Sequence, residues 1–86
     1  PATRMAALVG WGDDIRSVAQ RLRIPHRLLG PLPDPTSQDP DRQRGLVVVT
    51  RREGPALARE LAAITVTRSA EGRSRPVHVH LDPRSV

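Results

Sequence analysis

Apolar positions along the chain follow two kinds of pattern, and the first kind predicts strands. Short runs rich in apolar or β-branched residues are bounded by Gly, Pro or polar residues, as is typical of strands. The run over 45–50 is apolar on both faces, which predicts a central strand. The run over 77–81 alternates strictly, so Val77, Val79 and Leu81 are expected to face a core, with the intervening histidines pointing outward. The predicted strands are 4–9, 27–29, 45–50 and 77–81.

The second kind of pattern is a helical spacing, in which apolar residues recur every three or four positions. The first such stripe follows the acidic pair 13–14, either of which can cap a helix. Pro25 ends the helix near Arg23, because the residue before a proline disfavours helical geometry. The members of this stripe are Ile15, Val18, Ala19 and Leu22. The sequence therefore predicts a helix over about 13–23.

A second stripe predicts a second helix later in the chain. Gly54 and Pro55 open it, and Pro is tolerated in the first helical turn because its missing N–H has no partner there. The chain is expected to leave the helix over 65–67 and to pass through a polar loop at 69–74. The residues of the stripe are Leu57, Leu61 and Ile64.

The order of elements predicts the fold class. Strand, helix, strand, strand, helix, strand is a βαββαβ arrangement, which indicates an α+β fold of the ferredoxin-like two-layer sandwich type. The 86 residues are enough for a single domain, 1–86. The polar, proline-bearing stretch 34–43 is longer than most connections in a compact domain, so we expect it to be a mobile loop.

Charge is distributed unevenly along the chain. The formal net charge is +5, and all 14 basic residues are Arg, a composition that favours a high-GC genome. The first 41 residues carry as many Asp as Arg, so the whole excess comes from 42–86. A one-sided basic surface attracts polyanions, because binding releases their condensed counterions. The lack of Cys and of any apolar run long enough to span a membrane fits a cytosolic protein.

Arginines of the second half belong to consecutive elements and are candidates for one basic rim that binds DNA phosphates. The guanidinium group suits phosphate because its donors are paired. Such contacts position a protein without reading bases, and the single aromatic residue, Trp11, argues against base stacking as the main binding mode. The alternative is a set of ordinary solvated surface charges. The candidate DNA-binding residues are Arg51, Arg52, Arg59, Arg68, Arg73 and Arg75.

No pattern in the sequence predicts catalysis. The Gly-Trp-Gly at 10–12 lacks the rest of a dinucleotide fingerprint, and no Gly-Lys-Ser/Thr sequence is present. His78 and His80 share one face of a predicted strand, but a metal site would need a third ligand, such as Asp82 or His26, to converge on them. We therefore expect a non-catalytic module with no catalytic residue, no metal and no cofactor.

Four short motifs, taken in order, resemble one protein family. They are the opening 1–8 (PATRMAAL), the turn 29–33 (LGPLP), the basic lead into a strand at 42–49, and the final 77–83 (VHVHLDP). Together they resemble the C-terminal domain of the bacterial primosomal protein N′ (PriA) family of replication-restart helicases, a domain similar in fold to the small-subunit ribosomal protein S-ten. Two positions differ from the family pattern. Gln43 stands where many members have an aromatic residue, and His80 stands where many have an acidic residue.

The resemblance implies both a parent protein and a set of partners. It implies that the chain is the C-terminal domain of a longer protein resembling an ATP-dependent DNA helicase, cytoplasmic and from an actinobacterial or similar high-GC source. It implies binding to forked or single-stranded DNA and contact with other primosome proteins. It further implies a pocket for the acidic tail of single-stranded DNA-binding protein, for which the nearest positions here are Arg52 and Arg59.

Two other functions fit the same fold, because a fold alone does not decide function. One is an RNA- or ribosome-associated protein, which would prefer structured RNA to forked DNA in competition. The other is a small-molecule regulatory domain, which would show a ligand-dependent thermal shift without binding nucleic acid.

Overall fold

The computed structural model describes residues 2–72 and 75–82, which form one sheet and two helices. The elements, in chain order, are β1 (Thr3–Gly10), α1 (Gly12–Gln20), β2 (Arg27–Pro33), β3 (Gln43–Thr50), a short 3-10 helix (Arg51–Glu53), α2 (Gly54–Glu71) and β4 (His78–Leu81). The predicted βαββαβ order and the ferredoxin-like two-layer sandwich are confirmed.

The sheet has the order β2-β3-β1-β4, and every neighbouring pair is antiparallel. β3 lies between β2 and β1, which confirms the central position predicted from its apolar residues. Both helices pack on one face of this sheet. The largest fully buried side chains of the core between the layers are Leu8, Ile15, Val47, Leu57 and Leu61. Each such burial stabilises the fold by about 1.5–3 kcal/mol.

Helix α1 begins and ends earlier than the sequence predicted. Its N-cap is Trp11, and Asp13 lies in the first turn. There its negative charge is stabilised by the positive end of the helix dipole. The helix ends at Gln20 rather than near Arg23. The next two amides still donate hydrogen bonds three residues back, from Arg21 to Val18 O and from Leu22 to Ala19 O, both at 3.1 Å. The last turn therefore tightens, and Leu22 keeps its place in the core.

Helix α2 is longer than predicted, because it continues through 65–67 and ends at Glu71. β-Branched residues are weak helix formers, yet this segment stays helical, and the Thr65 hydroxyl donates to Leu61 O at 2.8 Å. The next position of the buried stripe, four residues after Ile64, is Arg68, which is buried as well. Gly72 stops the helix with φ 70°, a left-handed conformation that glycine adopts without steric cost.

Strand β2 does not stop at 29, where the sequence predicted a turn. It continues to Pro33, with a register shift against β3 between Leu29 and Leu32. Leu29 pairs with Leu46 and Leu32 pairs with Arg44, so β2 uses two residues where β3 uses one. This bulge places Leu29 and Leu32 on the same face of the sheet, although residues three apart in a regular strand point to opposite faces.

Strand β4 begins at His78, one residue later than predicted. Val77 and Val79 pack against the core and both histidines are exposed, as the alternation predicted. Leu81 differs, because half of it (51%) is exposed. β4 is an edge strand, and its final residue lines an open cleft beside the start of α2.

The connection between β2 and β3 starts with a turn organised by Asp34. The Thr36 amide and hydroxyl donate to Asp34 Oδ1 at 3.0 and 2.8 Å. These hydrogen bonds hold the pKa of Asp34 below its ordinary value, and the amide contributes more than the hydroxyl. The nearby positive charges of Arg42 and Arg44 lower this pKa as well. The mobility expected for 34–43 stays a prediction.

Candidate nucleic-acid interface

The first two candidate arginines lie at the junction between the central sheet and the long helix. β3 ends at Thr50, and Arg51 and Arg52 belong to the 3-10 helix that leads into α2. Both are exposed. The Arg51 amide donates to Ala2 O at 3.1 Å, which ties this junction to the start of the chain. The backbone is therefore anchored while both guanidinium groups face solvent.

A cleft of about 350 Å³ opens beside Arg51. Leu57 and Leu81 contribute apolar walls, and Arg4 lies at the rim, paired with Asp82 at 3.1 Å. A Cβ atom at Gly54 would lie 2.9 Å from Arg4 Cγ, so this glycine lets α2 start close against β1. The cleft thus combines apolar walls with cations at its edge, an arrangement that suits a peptide carrying both apolar and acidic groups.

Arg59 lies on α2 with an exposed side chain, opposite the buried stripe. Arg52 lies in the 3-10 helix just before α2, and Arg59 lies in the second turn of α2. Both therefore lie near the N-terminal end of the long helix. The pairing of these two positions as a partner site comes from the family resemblance and stays a prediction.

Arg68 and Arg75 are placed differently, because both engage the chain itself. Arg68 is only 6% exposed, and its Nη2 donates to Arg75 O at 3.0 Å and lies 3.5 Å from Asp14 Oδ1. The other carboxylate oxygen, Oδ2, accepts from Arg75 Nε at 2.9 Å. The Arg75 guanidinium also stacks over Trp11, 4.1 Å from the ring centroid. We call Asp14, Arg68, Arg75 and Trp11 the α1–α2 clasp.

The clasp divides the candidate arginines into two groups. Arg51, Arg52 and Arg59 form an exposed group at the start of α2, whereas Arg68 holds the segment before β4 against both helices. Arg75 keeps half of its side chain exposed (51%) while it pairs with Asp14. Arg73 lies outside the described residues.

Sequence reasoning missed two features of this site. The burial of Arg68 had a signal, since position 68 continues the stripe of Leu57, Leu61 and Ile64. Its acidic partner, Asp14, had none, because the two residues are distant in the chain. The other omission is the pair Arg27 and Arg44, which the strand pairing places on the sheet face away from the helices.

The described residues, 2–72 and 75–82, contain no group of three or more His, Asp or Glu side chains that could hold a metal ion. Within the same ranges, no helix is both long and apolar enough to cross a membrane.

The fold and these sites define an α+β domain of ferredoxin-like type with an arginine-rich surface. Residues 1–84 match the family described as the primosomal protein N C-terminal domain. The match covers nearly the whole chain, and the chain belongs to this family. No curated protein and no solved structure gives a significant match. Family membership identifies the chain as a domain of a primosomal replication-restart protein, a class that works with DNA and primosome components.

Proposed function

We propose that this domain binds forked or single-stranded DNA through phosphate contacts and docks partner proteins, without catalysing a reaction itself. The observation that carries the proposal is the pair Arg51 and Arg52, exposed side by side at the start of α2. Neither forms a salt bridge with a carboxylate of the described residues. Their charges thus remain to attract phosphate, near the positive end of the α2 dipole.

The other candidate arginines contribute in different ways, some by contacting phosphate and one by positioning another residue. Arg59 adds an exposed charge on α2, and Arg75, half exposed beside the other end of α2, would make a separate phosphate contact. Arg73 stays a candidate from the sequence. Arg68 contributes indirectly, because its buried guanidinium positions the segment that carries Arg75. We also propose that the protein is cytoplasmic. A high-GC source, inferred from the Arg-only composition, belongs to the same proposal.

Replacing Arg51 and Arg52 together by Ala is expected to weaken binding to a fluorescent forked oligonucleotide and to flatten its salt dependence by roughly one to two neutralised phosphates. In a plot of log K against log salt, the slope becomes shallower by about 0.7 for each phosphate of a single strand that is no longer neutralised. Fluorescence anisotropy across a salt series measures both the affinity and the slope.

The matched control is Arg16→Ala with Arg23→Ala, which removes the same charge from exposed positions in and just after α1. This control should keep the wild-type slope. Equal reductions in affinity for the two double variants, or an unchanged slope without Arg51 and Arg52, would place the DNA-binding surface elsewhere. A clear preference for structured RNA over forked DNA would favour the RNA-associated function instead.

The partner proposed for Arg52 and Arg59 is the acidic tail of single-stranded DNA-binding protein. The support is chemical: carboxylates pair well with guanidinium groups, and the cleft beside Arg51 adds the apolar walls of Leu57 and Leu81. An acidic peptide with apolar residues matches both features.

Arg59→Ala is expected to weaken binding of a fluorescent peptide with this tail sequence by up to about fivefold, the range of an exposed ion pair. The control variant is Arg16→Ala, and the control peptide has its acids replaced by amides. If Arg52→Ala and Arg59→Ala both bind the tail as the wild type does, the tail does not dock there.

A further inference from the structure

The sheet face away from the helices has no covering element among the described residues, and its most exposed apolar side chains lie on β2. Cross-strand pairing defines its central row, in which Leu29 pairs with Leu46, Leu46 with Ala7, and Ala7 with His80. The next row joins Val48 to Met5. Leu29 is 47% exposed and Leu32 is 67% exposed. We call this surface the open sheet face: its apolar residues are Met5, Ala7, Val9, Leu29, Leu32, Leu46 and Val48. Ala7, Val9 and Val48 are buried between their neighbours, so the apolar groups accessible to a partner are Leu29 and Leu32, with Met5 and Leu46 half-buried beside them.

The bulge in β2 enlarges this surface. Without the register shift, Leu32 would point toward the helical layer while Leu29 points outward. The shift around Gly30 and Pro31 instead pairs Leu32 with Arg44, which in turn pairs with Val9 on the open sheet face. Two exposed leucines thus lie together on an edge strand, where a partner that covers them would remove apolar surface from water.

Two arginines lie on this face on the β2 side, and two histidines lie on it at the opposite edge. Arg27 lies on β2 opposite Val48, and Arg44 lies on β3. His78 and His80 lie on β4, at the other edge of the sheet, with exposed side chains. Not one residue of the four strands is acidic. Neither Arg27 nor Arg44 forms a salt bridge within the described chain, although Asp34 lies near enough for the charge of Arg44 to lower its pKa.

We propose that the open sheet face docks an acidic amphipathic helix presented by a partner protein. The apolar face of such a helix would pack on Leu29, Leu46 and Met5, and its acidic flanks would meet Arg27 and Arg44. Strands lie about 4.8 Å apart, so the four-stranded sheet is wide enough for one helix of about 10 Å diameter. A helix there would turn the two-layer sandwich into three layers with both sheet faces covered.

Two other occupants fit the face less well. Single-stranded nucleic acid usually stacks its bases on several aromatic side chains, and the four strands contain no Phe, Tyr or Trp. A second copy of the chain would place Arg27 and Arg44 against another set of the same cations, and like charges across an interface are unfavourable. An acidic helix offers both the apolar contact and the opposite charge.

This surface is separate from the arginines proposed for DNA and for the acidic tail, so either proposal can fail without the other. The probe is a synthetic amphipathic helical peptide with Leu on one face and Glu on the other, and the control peptide carries Lys in place of Glu. Titration into ¹⁵N-labelled protein should shift the amides of β2, β3 and β1. Only the Glu peptide is expected to bind.

Arg27→Glu with Arg44→Glu should weaken this binding about tenfold or more, since each ion pair with the peptide becomes a repulsion. The matched control, Arg16→Glu with Arg23→Glu, changes the net charge equally on the helical layer and should bind as the wild type does; thermal melts verify that both variants fold. Peptide-induced shifts on α1 and α2 instead, equal binding of the Lys peptide, or equally weakened binding in the two double variants would overturn the proposal. The same would follow if an oligonucleotide, but not the Glu peptide, shifted the open sheet face, or if sedimentation showed a dimer that buries it.

Discussion

Asp14→Asn is expected to lower the free energy of unfolding by about 2–3 kcal/mol. Asp14 is the shared carboxylate of the α1–α2 clasp, and its side chain is 16% exposed while that of Arg68 is 7% exposed. Removing one partner of a buried ion pair costs about 3–5 kcal/mol, because the other charge is left uncompensated. The loss here lies below or at the lower end of that range, since Arg68 keeps its hydrogen bond to Arg75 O. Urea denaturation followed by circular dichroism measures the difference.

The neighbouring Asp13 supplies a matched control. It lies in the same first turn of α1, but its side chain is 93% exposed and pairs only with Arg16. Asp13→Asn should therefore cost no more than about 0.5 kcal/mol. Adding Arg68→Met to Asp14→Asn should restore part of the stability, because the uncompensated charge is removed together with its partner. Equal destabilisation by Asp13→Asn and Asp14→Asn would show that the clasp contributes nothing beyond the helix dipole.

Gly30→Ala is expected to destabilise the domain by about 2–3 kcal/mol. Gly30 has φ +88°, a region that costs an L-residue roughly 1–2 kcal/mol. A Cβ there would also lie 3.0 Å from Leu32 N and 3.1 Å from Arg44 O, both backbone atoms that cannot swing aside. The bulge would have to open, so the amide shifts should concentrate on β2 and β3. Thermal or urea unfolding, with the amide spectrum, measures both effects.

Gly72→Ala separates the two contributions to that cost. Gly72 also has positive φ, at +70°, but a Cβ there would meet nothing within 4 Å. Only the conformational cost remains, about 1 kcal/mol. A destabilisation at Gly30 no larger than that at Gly72 would mean that the close backbone approach in the bulge is readily relieved. A larger destabilisation at Gly30 is expected to weaken peptide docking on the open sheet face as well, because Leu29 and Leu32 would no longer share one orientation.

The elements themselves could be predicted from local patterns, because side-chain periodicity depends only on nearby residues. The stripe of Leu57, Leu61 and Ile64 lies where the pattern placed it, and β3 contains the predicted 45–50 but begins earlier, at Gln43, the last residue of the predicted loop. Their ends were less predictable. Residues 65–67 are weak helix formers, and α2 continues through them to place Arg68 against Asp14 and Arg75 O. A contact between distant segments thus outweighs the local preference.

The sequence could not predict which arginines are exposed, because that also depends on contacts between distant segments. Six arginines looked alike as charged residues in consecutive elements, yet Arg68 is buried and Arg75 is paired, whereas Arg51 and Arg52 are exposed. The difference arises from which carboxylate packs nearby. Asp14 comes from the first helix, and nothing in its local sequence indicates the two guanidinium groups that it meets.

The sequence by itself determined the βαββαβ order, the central place of β3, the excess of positive charge in the second half and the motifs shared with the primosomal family. These follow from spacing and composition, which are local or additive properties. Tertiary structure alone decided which arginines stay exposed and which pair with carboxylates, where α2 ends, and that Leu29 and Leu32 share one face. Each of these depends on a partner distant in the chain: a carboxylate for Arg68, packing for the last turns of α2, and the backbone of β3 for the bulge.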